Sequence, residues 1–385
     1  MSEEKSVIYD YLKQMAEKRA SDLYLTVGVP PTMRSNNEFI SLSEINLTDE
    51  DIEHMMGEVL TNRQRRDFEN TLELNIAFDM GEEGRFRINI LRQRQHNAMV
   101  IRRITSEIPT LEELNLPPLM QKLAMNKRGL ILVCGVTSSG KSTSLASMID
   151  YRNASSPGHI ITIEDPVEYY HKHKTSIVTQ REVGIDTASY NIALKNALRQ
   201  KPDVILIGEI RDPDVMEQAL SAAETGHLCL ATLHTNNTSQ AIERIINFFP
   251  KERQQQVRLA LAMNLRAVIG QRLVKKKGGG LTLALEVLLN EAFVRELIMN
   301  GQTHKIREVL VKNEPVDMKT FDQSLFELYQ KGEITEETAI MESDVPGDMR
   351  MRLQSRNFGS SSSDSGEKKG AVGTLSQIDI TKLSL

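Results

Sequence analysis

The chain has 385 residues, 47 of them basic and 52 acidic, for a formal charge of −5. That length is enough for two or three domains, and that balance supplies no basic field of the kind that draws nucleic acid. The two cysteines, Cys134 and Cys229, sit in apolar strand-like runs and read as small buried hydrophobes, which excludes a disulfide or metal framework.

Residues 1–105 read as a small α+β domain. The helical opening "VIYDYLKQMAEKRA" leads into the strand-like "LYLTVG" and a Pro30-Pro31 turn. A second helical stretch, "DEDIEHMMGEVL", precedes "LNIAFDMGEEGRFRINILRQRQHNAMVIRRI", whose alternating apolar positions predict strands around the turn "GEEG". Residues 106–118 carry three prolines and a short acidic piece, as a linker does. From 119 onward the apolar runs "GLILVC", "HIITIE", "DVILIG" and "HLCLATLH" alternate with helical segments. This pattern predicts a mostly parallel sheet covered by helices. "VKKKGGG" reads as a solvated hairpin turn, and helix-like segments follow to about 355. Residues 356–385 include "GSSSSDSGEKKG", which cannot bury enough apolar surface to order itself. The terminal "LSQIDITKLSL" is either plain tail or a docking motif for a partner. The opening "MSEEKSVIYD" lacks the apolar core of a signal peptide, and no run approaches the ~18 apolar residues that span a bilayer. The chain is therefore expected in the cytoplasm, with any membrane association made through partners.

Chemistry enters at residues 135–142, G-V-T-S-S-G-K-S, which match G-x-x-x-x-G-K-[ST] between a predicted strand and a predicted helix. Gly135 and Gly140 let the backbone turn its N–H groups toward a phosphate, and the helix N-terminus favours an anion. Val136, Thr137, Ser138, Ser139 and Thr143 complete the nucleotide-binding stretch. Lys141 is placed for the β- and γ-phosphates of ATP and Ser142 for Mg²⁺. Two acids end apolar strands, where an open α/β sheet puts its ligands. Glu164 in "IITIEDPVEYY" is the preferred general base. Glu209 in "PDVILIGEIRD" ends a strand resembling a Walker B strand, with Gly208 where many such strands carry aspartate. That departure leaves Glu209 to hold the Mg²⁺ environment through water. His227 and His234 bracket the strand "HLCLATLH", expected near the phosphate edge either as γ-phosphate sensors and couplers or as polar ends of a core strand. His171 and His173 in "YYHKHKT" read as a solvated loop in preference to zinc ligands.

Taken together, "SDLYLTVGVPPTMR", "RFRIN", "GVTSSGKST", "TIEDPVEY", "VTQREVG", "ALRQKPDVILIGEIRD" and "AAETGHLCLATLHTNN" occur in the order of a known family's signatures, across roughly residues 5–350. The chain resembles the type IV pilus retraction ATPases, the PilT-like members of the secretion ATPase superfamily, and most of all their PilU-type paralogues. The resemblance implies an α/β, RecA-like P-loop core with an N-terminal PAS-like domain, assembled as a homo-hexamer. It implies Glu164 as the catalytic glutamate, Glu209 as the Walker B acid, and His227 and His234 as a "His box". Arginines at positions 85, 87 and 102 would reach the neighbouring protomer's nucleotide in trans. A partner retraction ATPase and an inner-membrane pilus platform protein are the implied partners, with pilus retraction as the work done. Residues 291–301, "EAFVRELIMNG", depart from the "AIRNLIRE"-type segment of PilT-like chains and fit an accessory ring acting with a partner. The four-cysteine zinc module of pilus-assembly and secretion ATPases cannot be built from two cysteines.

Overall fold

The computed structural model describes residues 6–35, 38–105, 107–312 and 317–360. The first unit contains helix α1 (Val7–Glu17), strands β1 (Asp22–Thr26), β2 (Thr32–Ser35) and β3 (Glu38–Ser41), helices α2 (Asp49–Val59) and α3 (Asn62–Thr71), and strands β4 (Glu73–Asp79), β5 (Arg85–Gln93) and β6 (His96–Ile104). Each helix start is written in its cap. Ser6 accepts from the Tyr9 amide, and Thr48 with Asp51 and Thr61 with Gln64 form reciprocal capping boxes. The strands form one antiparallel sheet in the order β3-β2-β1-β6-β5-β4. β5 alternates buried Phe86, Ile88 and Ile90 with outward residues, and these pack with Ile8, Leu12, Met15, Ile52 and Met56 of α1 and α2 in one core. The β5–β6 turn holds Arg94 and Gln95 at positive φ (48° and 72°), a conformation that sequence patterning does not announce without Asn or Gly.

The second unit runs α4 (Leu119–Ala124), β7 (Gly129–Cys134), α5 (Lys141–Ser155), β8 (His159–Glu164), β9 (Ile177–Glu182), α6 (Tyr190–Ala197), β10 (Val204–Ile207), α7 (Pro213–Glu224), β11 (Leu228–Leu233), α8 (Thr238–Asn247), α9 (Lys251–Asn264), β12 (Leu265–Lys275) and β13 (Leu281–Leu289). Its sheet order is β13-β12-β7-β11-β10-β8-β9, parallel from β12 to β9, with β13 returning antiparallel through the "KKGGG" turn. The central strands β7, β10 and β11 are buried along their whole length, so they read as unbroken apolar runs. One face packs against α6 to α9, and the other against α4 and α5. Leu111 and Leu116, from the stretch expected as a linker, are buried in that second cluster, and Ser147 of α5 donates to the Pro109 carbonyl at 2.6 Å. That stretch is therefore fastened to the parallel-sheet core from Pro109 onward.

Helices α10 (Ala292–Met299), α11 (Ile306–Lys312), α12 (Phe321–Gln330), α13 (Glu336–Glu342) and α14 (Pro346–Ser360) complete the described chain. Phe321 and Leu325 of α12 and Leu353 of α14 seat this group on Val274 and Ala284 of the β12–β13 hairpin. Helix α14 continues to Ser360, into the region expected to be tail, and the remaining expected tail, 361–385, lies outside the described residues. Among the described residues no helix is long and apolar enough to cross a membrane.

Candidate active site

The parallel strands end at one edge, and the cleft there has a volume of about 420 Å³. Its floor is the loop between β7 and α5. Gly135 is irreplaceable on geometric grounds: a Cβ there would stand 2.4 Å from Ser139 Oγ and 2.5 Å from the Gln271 carbonyl oxygen. Gly140 (φ 87°) caps α5 in the left-handed region, and Ser138 shares that region at φ 63°. Lys141 Nζ donates to the Gly135 and Val136 carbonyls at 2.9 and 2.8 Å, and burial lowers its ammonium pKa. Among the described residues the buried Ser139 hydroxyl has no hydrogen-bond partner; Ser142 is exposed, and Thr143 Oγ1 lies 3.0 Å from the Tyr169 hydroxyl.

Two of the carboxylates that line the cleft stand at strand ends, Glu164 and Glu209. Glu164, the last residue of β8, is 9% exposed and accepts from Thr162 Oγ1 at 2.6 Å, two residues back on the same strand face. Burial outweighs that hydrogen bond and pushes its carboxyl up to about 7. Glu209 follows β10, pairs with Arg211, and has Oε2 3.2 Å from Nε2 of a half-exposed His234. Arg211 also reaches Asp165 at 3.8 Å. The glycine before Glu209 has a steric cause. A Cβ on Gly208 would lie 2.9 Å from the Tyr190 hydroxyl and 3.1 Å from the Glu164 Cα, so a side chain at 208 requires these neighbours to shift.

The model of the family described as type II/IV secretion system protein matches residues 64–339. The chain belongs to this family. Within it the chain is similar to the type IV pilus ATPase PilU of Pseudomonas aeruginosa, 49% identical over 344 residues, covering 89% of this chain and 90% of PilU. The type IV pilus retraction ATPase PilT of the same organism is 38% identical over 339 residues, covering 88% and 98%. The crystal structure of the pilus retraction motor PilT with bound ADP superposes at a TM-score of 0.83 with 43% identity, covering 89% of this chain and 99% of that one. The PilT-like signatures in the sequence thus mark true membership of the secretion ATPase family.

Against this family frame, the cleft brings together the loop residues Thr137 to Thr143 with Glu164, Glu209 and His234. It does not include His227, and the expectation that both histidines stand at the phosphate edge is corrected. β11 has six residues, so its ends lie ~20 Å apart. His227 precedes the strand at the far edge, where its Nδ1 lies 3.0 Å from the Ala222 carbonyl oxygen. The reading of His171 as solvated is also corrected: it is 3% exposed, and burial holds its imidazole down at about 4. Among the described residues no group of three or more His, Cys, Asp or Glu is arranged to hold a metal ion. Both cysteines are buried free thiols, and burial pushes each up to about 12.

The three arginines lie outside this cleft within the protomer. Arg87 Nε stands 3.6 Å from Oε1 of Glu182, whose carboxyl burial raises, and Glu182 pairs in register with Glu164 on the neighbouring strand. Arg102 Nε donates to Asp22 at 2.9 Å, and the charge of Arg85 acts on Glu182 together with Arg87. Sequence reasoning did not find Thr162, Tyr190 or Arg211. Thr162 was accessible in principle, because an i, i+2 hydroxyl shares the face of Glu164. Tyr190 was not, because only the packing of α6 brings it to the end of β10.

Proposed function

We propose that the chain is an ATP-hydrolysing motor subunit of the type IV pilus retraction system, at work in the cytoplasm. The carrying observation is the convergence of Lys141, a glycine-turned loop, and a buried glutamate whose carboxyl titrates near neutrality in one cleft. The cradle fits a triphosphate: its backbone approaches so closely that a single Cβ at Gly135 would fill it, and Ser139 presents a buried hydroxyl. Lys141 exchanges its loop carbonyls for phosphate oxygens. The donor set of the Ser142 hydroxyl and the Glu209 carboxylate suits Mg²⁺, a hard cation, with Glu209 acting through water. When bound, Mg²⁺ neutralises charge on the β- and γ-phosphate oxygens. Glu164 accepts the proton of the attacking water, and its near-neutral pKa suits a base working at neutral pH. His234 ties Glu209 to the end of β11 and so relays the state of the cleft to that strand.

The working unit in this reading is a homo-hexamer, with residues 1–105 swinging on the core of the next protomer. Arg85, Arg87 and Arg102 then serve a neighbour's phosphates, a task that suits the planar guanidinium. His227, at the opposite edge of the sheet, couples protomers without touching the phosphate of its own. Partners are a retraction ATPase of the PilT type and an inner-membrane platform protein; nucleic acid is not a partner.

A second reading, an accessory ring with little turnover of its own, rests on residues 291–301, "EAFVRELIMNG", which depart from the segment that PilT-like chains carry. Turnover by purified protein, measured beside Lys141→Ala and Glu164→Gln and with mass in solution with and without nucleotide, tests both. A motor hydrolyses ATP at least tenfold faster than either variant and assembles. Wild type no faster than the variants, or a persistent lone subunit, overturns the motor.

A further inference from the structure

The Tyr190 hydroxyl is buried at the end of β10, and among the described residues it has no hydrogen-bond partner. It lines the same cleft as Glu164, Asp165 and Glu209. Leaving a buried hydroxyl unpaired is costly, so a retained one calls for an acceptor. Three carboxylates surround it without accepting from it. Burial, and after it their charge, raises the phenol above its ordinary 10, so it remains protonated and can donate at neutral pH.

The location is informative. The hydroxyl stands 2.9 Å from the point where a Cβ on residue 208 would begin, and Gly208 is where a Walker B aspartate is often found. The absent side chain and the tyrosine hydroxyl occupy one volume. The aromatic ring packs against the main core cluster, which fixes the hydroxyl in place. A neutral donor therefore replaces a carboxylate beside the base.

We propose that Tyr190 is a further catalytic residue: its hydroxyl donates a hydrogen bond to the oxygen of the attacking water while Glu164 takes a proton from that water. The water has two protons and two lone pairs. One proton goes to Glu164 and one lone pair accepts from Tyr190, which leaves the second pair directed at phosphorus as the bond to the ADP oxygen breaks. Tyr190 keeps its own proton throughout. This assignment rests on Glu164 being the base, as proposed above.

The test is Tyr190→Phe, which removes one oxygen atom and retains the packed ring, studied in the full chain beside wild type and Glu164→Gln. Three quantities are read: kcat and KM for ATP, affinity for ADP, and affinity for ADP with aluminium fluoride, which stands in for the phosphoryl group under attack. The expected result for Tyr190→Phe is a ~10-fold lower kcat at unchanged KM, a similar loss of aluminium fluoride affinity, and unchanged ADP affinity. Wild-type values for Tyr190→Phe alongside an inactive Glu164→Gln overturn the role of Tyr190 and leave the base in place. Parallel weakening of ADP and of ADP with aluminium fluoride, or loss of folding, assigns the hydroxyl to structure and also overturns the proposal. A fully active Glu164→Gln overturns the base and this assignment together.

Discussion

Replacing Glu164 by glutamine should do two opposite things. It removes the proposed base, and it stabilises the fold at alkaline pH. The Glu164 carboxyl is raised from an ordinary 4.5 to about 7, because burial disfavours its charged form. A carboxyl raised in the folded state binds its proton more tightly there than in the unfolded chain. Its contribution to stability is therefore complete below pH 4.5 and is lost as pH rises through about 7. A displacement from 4.5 to about 7 corresponds to roughly 3 kcal/mol. Glutamine imitates the protonated form and can still accept from Thr162. Glu164→Gln should match wild type near pH 4 and exceed it by up to about 3 kcal/mol at pH 8. Urea unfolding of both proteins from pH 4 to 8.5 reads this directly, and turnover of wild type should rise with pH through about 7. Stability curves that run parallel at every pH, or a variant less stable at pH 8 than wild type, would refute the placement of a charged, desolvated carboxylate at the end of β8.

Two further outcomes follow from distances already given. Gly208→Ala forces a methyl group to within 2.9 Å of the Tyr190 hydroxyl and 3.1 Å of the Glu164 Cα, and should cost about 1–3 kcal/mol in urea unfolding together with turnover; an alanine variant as stable and as active as wild type would show that this end of β10 is not crowded. Cys134 and Cys229, buried and pushed up to about 12, should resist a thiol-specific disulfide reagent at pH 8 in the folded protein and both react in urea. Rapid labelling of native protein at either thiol would contradict their placement within β7 and β11.

What the sequence made legible was whatever depends on neighbours along the chain. The run Gly129–Cys134 followed by Gly135 and Gly140 announces strand, turn and helix together, because each glycine occupies a backbone conformation the loop requires. The hairpin at "KKGGG" was equally plain. Helix α3 was missed, since "NRQRRDFENT" buries only Phe68 and shows almost no apolar stripe, although its Thr61–Gln64 capping box was there to be read. β9 was missed as an element because "IVTQRE" is a short edge strand with a mixed face. In the site, Glu164 and Glu209 were legible as acids at strand ends. Of the two histidines at the ends of β11, His234 reached the cleft as expected and His227 did not, because bracketing a strand places two residues at opposite edges, not one. Tyr190, Arg211 and the crowding at Gly208 arise from the packing of α6 and β8 against β10, and contacts between segments so far apart in sequence have no local signature.

The bond from Ser147 to the Pro109 carbonyl gives helix α5 a mechanical consequence. Its first turn sits under the nucleotide loop, and Ser147, six residues and ~9 Å further along the same rod, grips the strap that leads back to the N-terminal unit. The strap is also held by Leu111 and Leu116 in the same core cluster, so α5 and the stretch leading to the N-terminal unit are packed as one body from Pro109 onward.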